Sequence, residues 1–332
     1  MELRTTMKNG KDHLIKLFML LAGLAVITGI SVLFFPTMLN FNMGGNKLLH
    51  VVLKIRLPEI LIATTAGACL GLAGALMQII LGNPLASPFT LGISAASAFG
   101  AALAICMELY FEITWLNPGM FAFVFSLVSI LLLLVIMKFS GVSQRNIILI
   151  GLAVNFFFNA ANTFLQYFAT PDAIYRITFW TAGSLTTAEL KHSGILFSIL
   201  VVSLLISLLF SKDLGIIQQG ERNAVMHGVN VSFERVLFLL ICSLLASSCV
   251  SIVGIIGFVG LVAPHISRLM GLESPKELVL SASLSGALLL VIADILSKTI
   301  IHPTILPISA VTSIFGIPLL LFLLIVNGKK QK

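Results

Sequence analysis

Charged side chains are scarce in this sequence. Only 10% of its 332 residues are Asp, Glu, Lys or Arg, whereas 58% are hydrophobic, and the mean hydropathy is +1.09. A chain of this composition cannot cover a water-soluble core with a polar surface, which excludes a soluble globular domain. The sequence therefore predicts an integral membrane protein.

Several chemical motifs are also missing. The sequence has no GxxxxGK(S/T) motif, which excludes ATP binding by a Walker A loop. No paired histidine or carboxylate motif lies within a hydrophobic segment, so the chain is not expected to be an enzyme. The cysteines lie in apolar runs without metal or thioredoxin spacing, so neither a metal site nor a disulfide framework is expected. They are Cys69, Cys106, Cys242 and Cys249.

The basic residues are scattered between hydrophobic segments and form no patch, although the net charge is +7. This pattern is typical of positive loops facing the cytoplasm and not of nucleic-acid binding. Most Lys and Arg residues fall on the cytoplasmic side if both termini are placed there. A basic start is followed by an apolar run over 17–35, which is long enough to span and lacks a small-residue cleavage site. We therefore expect an uncleaved first helix and cytoplasmic termini.

Hydrophobic segments predict an all-α protein of about ten helices, forming one transmembrane domain over 1–332. The piece near 261–270 has half of the roughly 20 residues needed to span, so we expect a partial helix there. The largest polar segment on the predicted cytoplasmic side is the loop 211–235. The full crossings are predicted near 17–35, 57–81, 91–107, 116–138, 146–169, 191–210, 235–257, 277–297 and 305–326.

The second crossing carries small residues on one face and ends in a proline-bounded turn. Its small residues recur at spacings of four, four and three, which predicts close packing against another helix. They are Ala63, Gly67, Gly71 and Gly74. The composition of the break from Asn83 to Pro88 indicates an ordered turn.

Four amides recur at spacings of four, three and four in the fifth crossing, so they share one helical face. They are Asn155, Asn159, Asn162 and Gln166. Hydrocarbon cannot satisfy amide groups, so this face must point into the protein or a wet cavity. Hydrogen bonding between helices and the lining of a transport pathway both remain open explanations.

Two ionisable residues in apolar segments have both structural and functional interpretations. Asp294 is followed four residues later by Lys298, which favours a local ion pair near the outer face over a proton relay. His265 lies alone in an apolar half-helix and is interpreted as a hydrogen-bonded packing residue and not as a haem ligand.

The loop 211–235 contains GERNAVMHGVNVSFERV, which indicates a short exposed helix broken at Gly228. Val225, Met226 and Val229 would then be available to a partner. A solvated connector is the alternative.

A series of short motifs follows along essentially the whole chain: Arg56-Leu57-Pro58, GLAGALMQ over 71–78, the Asn83 to Pro88 turn with Leu91 to Ser94, WTAGSL over 180–185, GFVGLVAPHISR over 257–268, Ala293-Asp294, and Gly316-Ile317-Pro318. In this order, the motifs resemble the permease family of bacterial ABC importers for iron-siderophore, haem and cobalamin.

The resemblance implies a type II ABC importer permease fold in the bacterial cytoplasmic membrane. It also implies two permease subunits, two cytoplasmic ATP-binding subunits that bind the ATP, and an extracytoplasmic substrate-binding protein. The fifth helix would line the path with its amides. The ATPase-coupling residues implied by the resemblance are Gly220, Glu221, Ala224, Val225, Gly228 and Val229.

The resemblance further implies that outer-face basic residues dock the binding protein. The corresponding residues here are Arg56, Glu59 and Lys298, of which Glu59 reverses the expected sign. We therefore predict that this subunit pairs with a different permease chain. Ferric siderophore complexes are the expected cargo, haem or cobalamin is an alternative, and a proton-coupled secondary transporter using Asp294 is an alternative of another class.

Overall fold

The computed structural model describes residues 2–33, 50–113, 115–140, 144–186, 189–301 and 303–330, and these residues contain no β-strand. A π-helical turn, Val52–Arg56, leads into α2, and a 3-10 turn, Pro88–Leu91, precedes α3. The α-helices are α1 Glu2–Leu33, α2 Leu57–Ile80, α3 Ile93–Phe111, α4 Pro118–Ser140, α5 Gln144–Tyr167, α6 Pro171–Ala182, α7 Leu190–Leu209, α8 Ser211–Gln218, α9 Glu221–Met226, α10 Val231–Val253, α11 Val259–Leu269, α12 Pro275–Thr299 and α13 Ile308–Lys330.

Eight of these helices are long and apolar enough to cross a membrane within the described part of the chain. They are α1, α2, α3, α4, α5, α7, α10 and α12, each at a crossing predicted from the sequence. The predicted partial helix near 261–270 is α11, which has 11 residues. The predicted last crossing corresponds to α13, Ile308–Lys330.

Helix α6 was not predicted from the sequence. Pro171 begins it, and the side-chain oxygen of Thr170 accepts a hydrogen bond from the backbone N–H of Ala173. Ala173 and Ile177 form its buried face, which packs against α3. Arg176 also reaches Glu108 of α3, at 2.8 Å between Nη2 and Oε2. The sequence prediction missed α6 because its apolar face is narrow and it is too short to span.

Helix α2 lies at the centre of the bundle, with 89% of the most hydrophobic part of its span buried. It packs against α12, α10, α11 and α7. The predicted packing role of its glycines is confirmed. An added Cβ at Gly71 would lie 2.1 Å from the carbonyl oxygen of Ala282 on α12, and one at Gly74 would lie 1.7 Å from that of Gly260 on α11. Only glycine permits these backbone contacts.

The link after α6 and the link after α10 touch each other through glycine backbones. An added Cβ at Gly254 would lie 2.6 Å from the carbonyl oxygen of Trp180. Both Gly183 and Gly254 have positive φ, at 74° and 76°, which favours glycine. The backbone N–H of Ser184 donates to the carbonyl of Val253 at 2.9 Å. These contacts satisfy polar backbone groups where two helices end.

Helix α1 is peripheral, because only 11% of the most hydrophobic part of its span is buried and its main partner is α12. His13 Nδ1 lies 2.5 Å from Glu277 Oε1, and Lys16 Nζ donates to the carbonyl of Met270 at 2.6 Å. Both contacts lie at the start of the apolar part of α1, so they hold this end of the helix against the bundle.

Candidate functional site

The amides of α5 form a ladder that starts on the turn before α3. Asn155 is half-buried, and its Nδ2 donates to the carbonyl oxygen of Phe89 at 3.2 Å. Asn159 is exposed, and its Nδ2 donates to Asn155 Oδ1 at 2.6 Å. Asn155 therefore has a packing role within the subunit, whereas Asn159 faces outward from it.

The other two amides continue this face along α5. Asn162 and Gln166 are half-buried, and Asn162 Oδ1 has no hydrogen-bond partner among the described residues. Only 22% of the most hydrophobic part of the α5 span is buried. The ladder thus begins at a contact inside the subunit and continues onto an exposed surface. Its start agrees with hydrogen bonding between elements of the fold, and its exposed part agrees with the lining of a transport pathway.

The turn after α2 is ordered, as predicted. Asn83 Oδ1 accepts from the backbone N–H of Leu85 at 2.8 Å, and the backbone N–H of Ser87 donates to Thr90 Oγ1 at 3.2 Å. The following 3-10 turn lies against α5, because an added Cβ at Gly151 would be 2.9 Å from Leu91 Cα. The turn and the amide ladder are therefore one connected structure.

A pair of side chains that the sequence interpretation did not join ties α2 to α11. Arg268 Nη1 donates to Gln78 Oε1 at 2.5 Å, and Gln78 Nε2 donates to the carbonyl of Leu261 at 3.3 Å. Both side chains belong to motifs that carried the family resemblance. In the sequence, Gln78 and Arg268 each end an apolar motif with a polar side chain, and this was the signal that could have paired them.

The short helix α9 stands out from the bundle at the predicted coupling segment. Val225 and Met226 are 62% and 69% exposed, whereas Ala224 is fully buried beneath them. Val229 is half-buried and packs against the hydrophobic core, so its contact with a partner stays a prediction. The outward surface of α9 therefore includes Val225 and Met226.

Two glycines and an ion pair fix this short helix. Gly220 precedes it with φ 122°, and Gly228 follows it with φ 80°, so both adopt conformations that favour glycine. The backbone N–H of Gly228 donates to the carbonyl of Val225 at 3.0 Å. Glu221 Oε2 lies 3.1 Å from Arg235 Nη2 at the start of α10. Gly228 thus ends the helix and does not interrupt it.

The three predicted docking residues are buried together with Asp294. Glu59 Oε2 accepts hydrogen bonds from Arg56 Nη1 and Lys298 Nζ, both at 2.9 Å. Lys298 Nζ also lies 2.7 Å from Asp294 Oδ1, which confirms the predicted ion pair. The docking side chains are only 4–6% exposed. We call these four residues the charge cluster; it lies inside the subunit, and docking by its members stays a prediction.

His265 and three of the cysteines make local contacts in the core. His265 is 3% exposed, and its Nδ1 lies 2.8 Å from the carbonyl oxygen of Leu261, one turn earlier. This agrees with its interpretation as a packing residue. The thiols of Cys69, Cys242 and Cys249 face carbonyl oxygens of neighbouring helices. The cysteines thus serve as small core side chains.

The described residues form a helical membrane bundle with a polar face on one exposed helix and a short helix standing out at one end. The FecCD transport family matches residues 16–326, and the chain belongs to that family. It is similar to the hemin transport system permease protein HmuU of Yersinia pestis, with 31% identity over 94% of this chain and 93% of that protein. It is also similar to the Fe(3+)-citrate import system permease protein YfmE of Bacillus subtilis, with 32% identity over 99% of each chain.

A solved structure supports the same fold. An inward-facing metal-chelate type ABC transporter aligns with a TM-score of 0.83 and 30% identity, covering 93% of this chain and 98% of that one. The protein is therefore a permease subunit of an ABC importer in the cytoplasmic membrane, with the type II fold. Permeases of this class work with ATPase and binding-protein partners. The predicted family, fold and transport function are confirmed.

Proposed function

We propose that this permease passes ferric siderophore complexes across the cytoplasmic membrane along the amide face of α5. The observation that carries this proposal is the exposed Asn159 on a ladder whose base is fixed by Asn155 to the carbonyl of Phe89. An uncharged polar wall suits a bulky polar solute, which has to slide along it without tight binding. The relative named for Fe(3+)-citrate supports an iron chelate as cargo.

The amides have different parts in this proposal. Asn155 positions the face, while Asn159, Asn162 and Gln166 contact the passing complex. A haem cargo is the second candidate, and the relative named for hemin supports it. Uptake of ferric hydroxamate, ferric citrate, hemin and cobalamin should be compared in vesicles that contain the complete transporter. Uptake of hemin alone would overturn the siderophore assignment.

The energy comes from a separate ATPase that docks on α9. Exposed Val225 and Met226 offer it an apolar contact, and the buried Ala224 with the Glu221–Arg235 ion pair makes the segment stiff enough to transmit movement. Residues 220–229 thereby act as the coupling segment, and the permease itself hydrolyses no ATP. In this proposal the ATPase lies in the cytoplasm, so α9 and both termini face the cytoplasm as well.

Gly228→Pro tests the coupling role. Proline fixes φ near −65° and removes the N–H that bonds Val225, so the end of α9 cannot keep its conformation. We expect the variant to reach the membrane but to lose ATP-driven uptake. Gly194→Ala, in α7 and outside the coupling segment, has no atom within 4 Å of the added Cβ and serves as the control that should keep normal uptake. Normal uptake by Gly228→Pro would refute the coupling role.

The proposed second permease is a different chain, and a binding protein docks at the end of the bundle that holds the charge cluster. Pull-down of two differently tagged copies of this chain would refute a heterodimer if both tags were recovered together. Docking on Arg56 or Lys298 requires the charge cluster to open. Uptake that survives a disabled ATPase but collapses with the proton gradient would instead favour the secondary transporter.

A further inference from the structure

Phe258, which lies between α10 and α11, has an unusual backbone conformation. Its φ is 66° and its ψ is −30°, and the backbone N–H of Val259 donates to the carbonyl of Gly257 at 2.8 Å. A hydrogen bond across a single residue with positive φ makes this a strained γ-turn. A bulky side chain is rarely found at such angles, so other contacts must hold Phe258 in place.

A second non-glycine residue with positive φ in the described part of the chain shows the difference. Glu112 has φ 54° and ψ 30°, in the left-handed region where many helices end. Phe258 lies outside that region. Strain of this kind biases an equilibrium by about five- to 150-fold, and it is concentrated where proteins change conformation.

The backbone of Phe258 is fixed on the side of α11. Its carbonyl accepts hydrogen bonds from the N–H groups of Leu261 at 3.0 Å and Val262 at 2.8 Å, which close the first turn of α11. Helix α11 is itself held against α2 by the backbone contact of Gly260 with Gly74. The γ-turn is therefore attached to the centre of the bundle.

The side chain of Phe258 rests on α13. An added Cβ at Gly316 would lie 2.8 Å from Phe258 Cβ and 3.2 Å from its Cγ, so the side chain fills the notch that this glycine leaves. Pro318 follows within the same helix, where a proline interrupts the backbone hydrogen bonds and favours a kink. We call the contact of Phe258 with Gly316 the seat of α13.

Space for a displacement of α13 lies beside the seat. An apolar space of about 420 Å³ separates parts of α11, α12 and α13, and its lining includes Val262, Leu296 and Phe315. On the outward side of α13, Ile314 and Ile317 are 66% and 44% exposed. The helix packs on α11, α12 and α6. It is therefore supported from the side of the seat and open on the other.

We propose that Phe258 is a positioning residue that seats α13 in one access state of the transporter and releases it in another. ATP-driven import requires the bundle to alternate between such states. In the seat, packing on Gly316 supports the strained backbone. When α13 leaves, this support is lost and the γ-turn relaxes. Packing thus favours the seated state and strain favours the released one, which keeps the two states close in free energy.

A cross-link beside the seat tests this proposal with Phe258 and Gly316 intact. An added Cβ at Gly257 lies 3.8 Å from Ser313 Oγ on α13, so the variant G257C/S313C places two thiols within reach of a disulfide. The complete transporter is oxidised by copper phenanthroline without nucleotide and after trapping with ATP and vanadate. We expect the yields of the two states to differ by at least about fivefold. No cargo is present, so the result does not depend on the amide face of α5.

Two comparisons assign the difference to Phe258. Adding Phe258→Ala to G257C/S313C removes the ring and should give a low yield in both states. S126C/S247C joins α4 to α10, whose serine hydroxyl oxygens lie 2.5 Å apart, and should cross-link equally in both states. Equal yields of G257C/S313C in the two states, or the same difference after Phe258→Ala or in S126C/S247C, would overturn the proposal.

Gly316→Ala tests the notch through uptake. Its Cβ would meet Phe258 Cβ at 2.8 Å, so α13 cannot take its seat, although alanine is the better helix former. Uptake by vesicles should fall at least about fivefold at an equal amount of folded protein. Ser313→Ala, which removes only a hydrogen bond to Ser309 in the same helix, should transport normally. Normal uptake by Gly316→Ala would contradict the proposal, and if this variant does not fold, the cross-link decides.

Discussion

Replacement of Glu59 by glutamine should strongly destabilise the bundle. Glu59 Oε2 accepts from both Arg56 and Lys298 at 2.9 Å, and the side chains involved are only 4–6% exposed. The substitution preserves the size of the side chain but removes its charge. Two buried cations then lose the carboxylate that they share.

The size of the loss in stability depends on the interactions that Arg56 and Lys298 keep after the substitution. Breaking a buried ion pair by removing one partner typically costs about 3–5 kcal/mol. Lys298 retains Asp294 at 2.7 Å, and both Lys298 and Arg56 have further interactions, so the lower end applies. We expect a loss of about 3 kcal/mol in the free energy of unfolding, or roughly 150-fold in the unfolding equilibrium.

Unfolding of the purified subunit by denaturant in mixed micelles measures this loss. Glu189→Gln is the matched control, because Glu189 forms an ion pair with Lys191 at 2.7 Å with both side chains at least 60% exposed. Because Glu189 also caps the start of α7, this variant should lose at most about 1 kcal/mol in the free energy of unfolding. The double variant E59Q/R56Q removes one cation with the anion and should recover about 1–2 kcal/mol. Wild-type stability of Glu59→Gln would refute the argument that the charge cluster supports the fold.

The remaining predictions concern packing, the amide ladder and the coupling surface. Gly71→Ala should destabilise by about 1–3 kcal/mol in the same unfolding assay, because its Cβ would meet a backbone oxygen at 2.1 Å, whereas Gly194→Ala has open space within α7 and should stabilise by up to about 1 kcal/mol. Asn159→Leu should slow uptake in vesicles without loss of folded protein, whereas Asn155→Leu should also lower stability by about 1 kcal/mol because it removes the hydrogen bond from Asn155 Nδ2 to the carbonyl of Phe89. Met226→Glu should weaken copurification of the ATPase, since this side chain is 69% exposed on α9; unchanged recovery of the ATPase would count against the proposed surface.

The parts of the fold that follow from local sequence were predictable. The long apolar runs identified the spanning helices because hydrocarbon requires a continuous apolar helix of about 20 residues. The glycine ridge of α2 was predictable because close packing of helices requires small residues at helical spacing. A short helix in the loop 211–235 was predictable from its composition, but the sequence did not show that Gly228 ends this helix.

What depends on contacts between distant residues was not predictable. Helix α6 is defined by packing on α3, and its own apolar stripe is too short to stand out from a loop. The charge of Glu59 suggested a surface role, because the sequence does not show that Lys298 approaches it from another helix. The role of Asn155 depends on its hydrogen bond to the backbone carbonyl of Phe89. This carbonyl lies outside α5, so the spacing of the amides along α5 could not predict the bond.

The contact of α2 with α12 and α11 has a mechanical consequence. Where backbone meets backbone, no side chain can change rotamer to absorb a displacement, so the three helices have to move together as one stiff unit. In the transport that we propose, a change of access has to be taken up by helices that do not pack on α2, and α5 is one of these. The glycines of α2 therefore mark the stiff part of the subunit.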